Sequence, residues 1–254
     1  MAKNSNPLAS RFERSLGVVK YRLIGRSSGE VGTGKTHFWL GAPGPIVVMS
    51  FDQGLEGVAL EEFGKKEIYP IEYDWTPTDT LSQDEAKSLR DKWIEDFEHA
   101  CKFARTVIID KEDDLWELFR YAEFGEPNDA PRNYPKLNQL YRKYINLPKS
   151  TEINFGLIQG MKDEWKTVSK KKSSGEVVSA GAATGNRVAK GFGDLDGLVH
   201  INLHHRREGG AFHIDVGKAR GPAAMDVQDQ SYSNVTFSEF AQLVFPDSTE
   251  DDWS

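Results

Sequence analysis

The stretch Gly29-Glu30-Val31-Gly32-Thr33-Gly34-Lys35-Thr36 satisfies G-x-x-x-x-G-K-[ST] at every position. A glycine-rich loop of this kind turns successive backbone N–H groups inward, around a polyphosphate. Lys35 supplies a cation for β- and γ-phosphates, and the Thr36 hydroxyl supplies a ligand for Mg²⁺. The N-terminus of the following helix adds partial positive charge at the same place. ATP and Mg²⁺ are the ligands this chemistry implies.

Other residues have types and positions that fit work on such a ligand. Asp110 follows the apolar run Thr106-Val107-Ile108-Ile109. A carboxylate there can hold Mg²⁺ opposite Thr36, or simply open a helix. Asp52 and Glu56 lie just past Ile46-Val47-Val48-Met49. Either can activate or position an attacking water, with Asp52 the first choice and a solvated turn the alternative. Gln159 ends the run from Ile153, and its neutral amide suits a hydrogen bond to a γ-phosphate or to water. Lys218 and Arg220 flank Ala219, so an extended chain points both to one side. Two such cations can clamp a γ-phosphate, in this subunit or in a neighbouring one. His200, His204 and His213 are expected on an outward strand face, with no Cys or carboxylate to complete a metal set.

Between Gly160 and about Gly193 lie Lys162, Lys166, Lys170, Lys171, Lys172, Arg187 and Lys190, among Gly, Ser, Ala and Thr. The stretch reads as a mobile basic loop. Its cations can follow a single-stranded phosphate backbone, although aromatics for stacking are few: Trp165, with Phe192 at the edge. A solvated loop is the alternative reading.

These residues must be carried by elements. A strand from Val18 feeds the glycine-rich loop, and Gly41, Pro43 and Pro45 stop the short helix behind it. The runs 46–49, 106–110 and 153–159 are apolar throughout, as strands buried on both faces are. Ile68–Tyr73 is a further strand. Ser82-x-x-Glu85 is a capping box for a long amphipathic helix that carries Cys101. Helices follow around 115–122 and 137–144. Alternation at Leu198–His205 and at Phe212–Val216, joined by Glu208-Gly209-Gly210, reads as a hairpin. Strands alternating with helices make an α/β fold with a mostly parallel sheet, and ligands sit at the carboxyl ends of its strands. That edge gathers the loop, Asp52, Asp110 and Gln159.

The chain has 254 residues, a net charge of −7 and a single cysteine. The length suits one large domain: an N-terminal arm over 1–17, a core over 18–245, and an acidic C-terminal tail over 246–254. The negative balance argues against nucleic-acid binding by the whole surface and leaves it to a local basic patch. A lone cysteine and no long apolar run make cytoplasmic residence the expectation.

In this order the parts resemble RecA-like P-loop ATPases, and among them the compact phage-type RecA-like proteins of DNA recombination and single-strand annealing. The resemblance runs from about Val18 to Pro222. Residues 29–36 match Walker A, and Val107–Asp110 is similar to Walker B, with Lys111 in place of the small residue often next. Asp52 stands where many members have Glu, which implies slow turnover. Phe155–Gln159 matches the strand that ends in a phosphate-sensing Gln, and the basic loop occupies the place of a DNA-binding loop. Lys218-Ala219-Arg220 looks like the paired cations that reach a neighbouring subunit's ATP. The resemblance implies a RecA-like core with a C-terminal β-hairpin, single-stranded DNA as partner, and self-assembly into a filament or ring. A replication or recombination protein recruited by the tail is a further implied partner, although a disordered solubilising tail is the simpler expectation. The alternatives are a P-loop small-molecule or nucleotide kinase, or a weakly hydrolysing adaptor.

Overall fold

The computed structural model describes residues 21–52, 55, 62–77, 81–125, 134–171, 177–220 and 225–253. The expected arm and Glu56 therefore lie outside the described residues, as does Lys172. The strands are β1 (Ile24–Gly29), β2 (Ile46–Ser50), β3 (Ile68–Glu72), β4 (Thr106–Asp110), β5 (Asn154–Gln159), β6 (Met161–Lys171), β7 (Val177–Ala189), β8 (Ile201–Glu208), β9 (Ala211–Ala219) and β10 (Ser231–Ser233). The described α-helices are α1 (Lys35–Leu40), α2 (Gln83–Phe103), α3 (Glu112–Phe124), α4 (Tyr134–Asn146), α5 (Leu195–Leu198) and α6 (Phe237–Val244).

Eight strands form one sheet in the order β10-β9-β8-β1-β5-β4-β2-β3. The six from β8 to β3 run parallel, and β9 and β10 are antiparallel additions at one edge. The expected α/β class, mostly parallel sheet and C-terminal hairpin are the observed architecture. Alternate residues of each central strand face opposite cores. Ile24, Met49, Val107 and Phe155 join α2, α3 and α4 on one side. Val48, Ile108, Ile158 and Leu203 join α1 and α6 on the other. The capping box at Ser82 forms as expected, closing the start of α2. Among the described residues no helix is long and apolar enough to cross a membrane.

Four expectations change. The strand that feeds the glycine-rich loop is Ile24–Gly29, so the polar Arg26-Ser27-Ser28 is strand rather than lead-in. Its serines are paired inside the protein. Ser27 Oγ accepts from Trp39 Nε1 at 2.9 Å and lies 2.9 Å from His205 Nε2. The basic stretch is not a loop: Met161–Lys171 and Val177–Ala189 pair as a two-stranded antiparallel ribbon of their own. Lys170 and Lys171 pair there with Val178 and Val177.

Nor is the acidic end loose. Glu250–Trp253 is a 3₁₀ turn that buries Trp253 to 1% exposure. The indole stacks on Phe245 at 5.6 Å and donates to Ser248 Oγ at 2.8 Å. Finally, the histidines separate: His204 and His213 share the hairpin's outward face, since His204 pairs with Asp215 and His213 with Arg206, and His213 Nδ1 lies 2.9 Å from Ser233 Oγ. His200 precedes β8 and is pushed down to about 4 by burial and by Arg22, Lys149 and Arg220.

Candidate nucleotide-binding site

The glycine-rich loop leaves β1 at the carboxyl edge of the sheet and enters α1. Two of its glycines are dictated by space and backbone. Gly29 has φ +153, and a Cβ there would meet the His205 carbonyl oxygen at 2.3 Å. Gly34 has φ +82 and lies against Phe212, whose ring would be 3.0 Å from an added Cβ. The loop folds around its own lysine: Lys35 Nζ donates to Gly29 O at 2.9 Å and to Glu30 O at 2.7 Å. Thr33 Oγ1 also donates to Glu30 O, at 2.8 Å. Burial pushes the Lys35 ammonium down, while Asp110, Asp113 and Glu30 oppose the shift. Val31 stands fully exposed at the loop's tip.

Asp110 belongs to β4, and β5 separates β4 from β1. Two strand spacings span about 10 Å. The gap is bridged from above, where Thr36 Oγ1 donates to Asp110 Oδ2 at 2.9 Å. That reach depends on α1 lying close to the sheet, and two glycines beneath it make the room. A Cβ on Gly25 would come 3.1 Å from the buried Trp39 ring, and one on Gly156 only 2.5 Å. The pair Thr36–Asp110 offers two hard oxygen ligands side by side, the donor set that suits Mg²⁺. Burial raises the Asp110 carboxyl, with Thr36 and Lys35 opposing, as expected of a carboxylate whose full counter-charge is a cation. These residues fit the metal that the loop implies.

Asp52 stands at the same edge. It is exposed, faces Lys111 Nζ at 3.4 Å, and has its backbone N–H on Ser50 Oγ at 3.0 Å. Lys111 itself adopts φ 64, a conformation that β-carbon residues rarely take. Burial lowers its ammonium, but Asp52 and Asp114 outweigh this and hold it above the usual range.

Gln159 is buried to 1% exposure and pairs in register with Ser28 of the loop's strand. Its Nε2 donates to Glu112 Oε2 at 2.5 Å, and its buried Oε1 has no partner among the described residues. Glu112 is fully buried, accepts from Tyr141 OH at 2.6 Å, and is raised by burial to about 7. Next to it, Asp113 Oδ1 accepts from Gly160 N at 3.2 Å. Sequence reasoning missed Glu112 and Asp113 because Lys111–Asp114 looked like a solvated helix start.

Lys218 and Arg220 are exposed on one side of the chain, as expected, but at the wrong end for this chain's own loop. Ala219 pairs with Ile201, which pairs with Gly25 at the start of β1. Four further residues of strand separate that level from Gly29, about 13 Å. Arg220 instead joins Arg22, Lys149 and His200. The pair is thus removed from a clamp within the same subunit.

On the ribbon, Lys162, Lys166 and Lys190 are exposed, and Trp165 is 66% exposed. Phe192 is not available for stacking, being buried against Trp116 and Tyr141. Arg187 turns toward the glycine-rich loop, with Nη2 3.2 Å from Glu30 Oε1.

Beside the loop lies a mostly apolar pocket of about 310 Å³. Thr33, Gly34, His37, Phe63, Phe212 and Val235 are among its walls. No pattern of residues announces it, because its walls come from segments far apart in the chain.

The site and sheet together define an α/β chain with a glycine-rich loop at the carboxyl edge of a mostly parallel sheet. No family model matches this chain, and no curated protein matches it. Among solved structures it is similar to one described as the crystal structure of the RadB recombinase, with a TM-score of 0.44 and 12% identity over 83% of this chain and 86% of that one.

Proposed function

We propose that the chain is a RecA-like nucleotide-binding protein that hydrolyses ATP slowly and grips single-stranded DNA with the β6–β7 ribbon. The observation that carries this is the junction at the carboxyl edge. Lys35, Thr36 and Asp110 stand together there, and the ribbon begins two residues after Gln159, in the strand between theirs. The order of parts that resembles RecA-like ATPases supports the same reading.

In it, the loop's N–H groups and Lys35 hold the phosphates, Thr36 and Asp110 hold Mg²⁺, and the base enters the pocket beside Phe212. Mg²⁺ supplies charge neutralisation on the phosphates when bound. Asp52 orients the water, and the Lys111 ammonium 3.4 Å away competes for the same carboxylate, which suits slow turnover. Lys162, Lys166 and Lys190 run along the DNA backbone, and Trp165 offers a stacking face. Lys218 and Arg220 point away from this chain's loop, so their use on ATP requires a neighbouring copy in a filament or ring.

The test is ATP turnover with and without single-stranded DNA across a salt series. Turnover stimulated by DNA, more strongly as salt falls, is expected. Lys35→Ala should abolish turnover. Trp165→Ala should weaken DNA binding by about 1–3 kcal/mol while ATP affinity holds. Phosphate transfer to a small-molecule acceptor, indifferent to DNA, refutes the proposal in favour of a kinase.

A further inference from the structure

Glu30 is the second residue of the phosphate-binding loop, and its carboxylate occupies ground that a bound polyphosphate would make strongly negative. In the structure that carboxylate is answered by Arg187 Nη2 at 3.2 Å, a residue more than 150 positions away on β7. The guanidinium is held in place from the facing strand, β6. Nη2 also donates to Met161 O at 3.1 Å, and Nε lies 3.6 Å from Asp163 Oδ1. The base of the ribbon beneath it is fixed as well: Lys190 N donates to Gly160 O at 2.9 Å, and Gly160 N donates to Asp113 Oδ1. Arg187 is therefore a planar cation presented to the phosphate loop by an anchored stem.

The Glu30 pairing is a loose one that a stronger anion can displace. Both side chains are about half exposed, 48% and 58%, and an ion pair so exposed holds little. Glu30 is also on the loop whose carbonyls Lys35 leaves once it turns to a phosphate. A terminal phosphate carries more charge than a carboxylate and presents oxygens that a guanidinium grips in pairs. A diphosphate leaves that outer position empty.

We infer that Arg187 distinguishes nucleoside triphosphate from diphosphate, leaving Glu30 for the terminal phosphate and passing the change to the ribbon through its ties to Met161 and Asp163. The inference rests on the nucleotide reading above. It makes Arg187 part of the nucleotide site rather than one of the DNA-facing cations.

The experiment compares equilibrium binding of a non-hydrolysable ATP analogue and of ADP, each with Mg²⁺, to the parent chain, Arg187→Ala, Arg187→Lys and Glu30→Gln. Arg187→Ala should lose about tenfold or more for the triphosphate, with ADP affinity within twofold, and Arg187→Lys should recover part of the loss. Glu30→Gln should bind the triphosphate more tightly, since it removes the competing carboxylate. Hydrogen exchange over 161–189 supplies a readout independent of affinity: the triphosphate should alter protection in the parent and leave it unaltered in Arg187→Ala. An unchanged triphosphate-to-diphosphate ratio in Arg187→Ala overturns the inference while the nucleotide reading stands. A parent chain that binds neither nucleotide overturns both.

Discussion

Replacing Gly156 by Ala tests the claim that α1 is pressed onto the sheet to bring Thr36 to Asp110. Gly156 does not carry a positive φ, so alanine suits its backbone, and the whole penalty must come from packing. The added Cβ would lie 2.5, 2.8 and 2.8 Å from three atoms of the Trp39 indole. Ordinary contact is about 3.5–4.0 Å, so the ring must retreat by about 1 Å. It has nowhere soft to go, since Trp39 is fully buried, tied to Ser27 and packed on Phe237.

Overpacking of this kind costs about 1–3 kcal/mol, and the stiffer unfolded chain returns about 0.4–1 kcal/mol. The net loss of about 1–2 kcal/mol lowers Tm by roughly 2–8 °C in a chain of this size. Because the displaced helix carries Thr36, Mg²⁺-dependent nucleotide affinity should weaken in parallel. Gly193→Ala, where an added Cβ meets nothing within 4 Å, is the control and should stay within about 0.5 kcal/mol. A Gly156→Ala protein as stable as its parent in thermal melts would refute the reasoning.

Two further predictions concern stability. Trp253→Ala should cost about 3–5 kcal/mol in urea unfolding, because it empties a fully buried site; a neutral result would mean the acidic end is not part of the core. His205 is pushed down to about 3, first by burial and then by Lys35, so the unfolded chain binds its proton more readily between that value and 6.5. Its contribution to stability is full above about pH 6.5 and is lost as pH falls toward 3. The penalty of His205→Asn should accordingly shrink by about 2 kcal/mol between pH 7 and pH 5, and a penalty that does not vary with pH would place a charged His205 in the folded protein.

Much of the sheet was legible because its central strands are apolar on both faces. Val47, Ile108 and Leu157 need no knowledge of their neighbours to be read as buried strand. The glycine-rich loop was legible because G-x-x-x-x-G-K-[ST] is a pattern of fixed spacing. What resisted reading depended on partners distant in sequence. Ser27 looks like loop until His205 and Trp39 are seen to pair with it. The ribbon lacks the apolar alternation of a strand because, among the described residues, neither core cluster includes any of its side chains, and its Gly, Ser and Lys content then looks like a tether. At the C-terminal end, four acidic residues among 247–252 masked one tryptophan whose burial decides the matter. Glu112 was hidden for the opposite reason, a charged type at a position with no exposure at all.

The strand that ends in the glycine-rich loop has consequences for how the chain is made. β1 pairs with residues 155–159 on one side and 201–205 on the other. During synthesis its neighbours therefore emerge some 130 and 175 residues later, on the order of ten to thirty seconds at usual elongation speeds. A strand left unpaired for that time invites association with other nascent chains if it is apolar. Arg26, Ser27 and Ser28 keep this one hydrated until β5 and β8 arrive. The same polarity that obscures the strand in the sequence lets it wait safely at the ribosome.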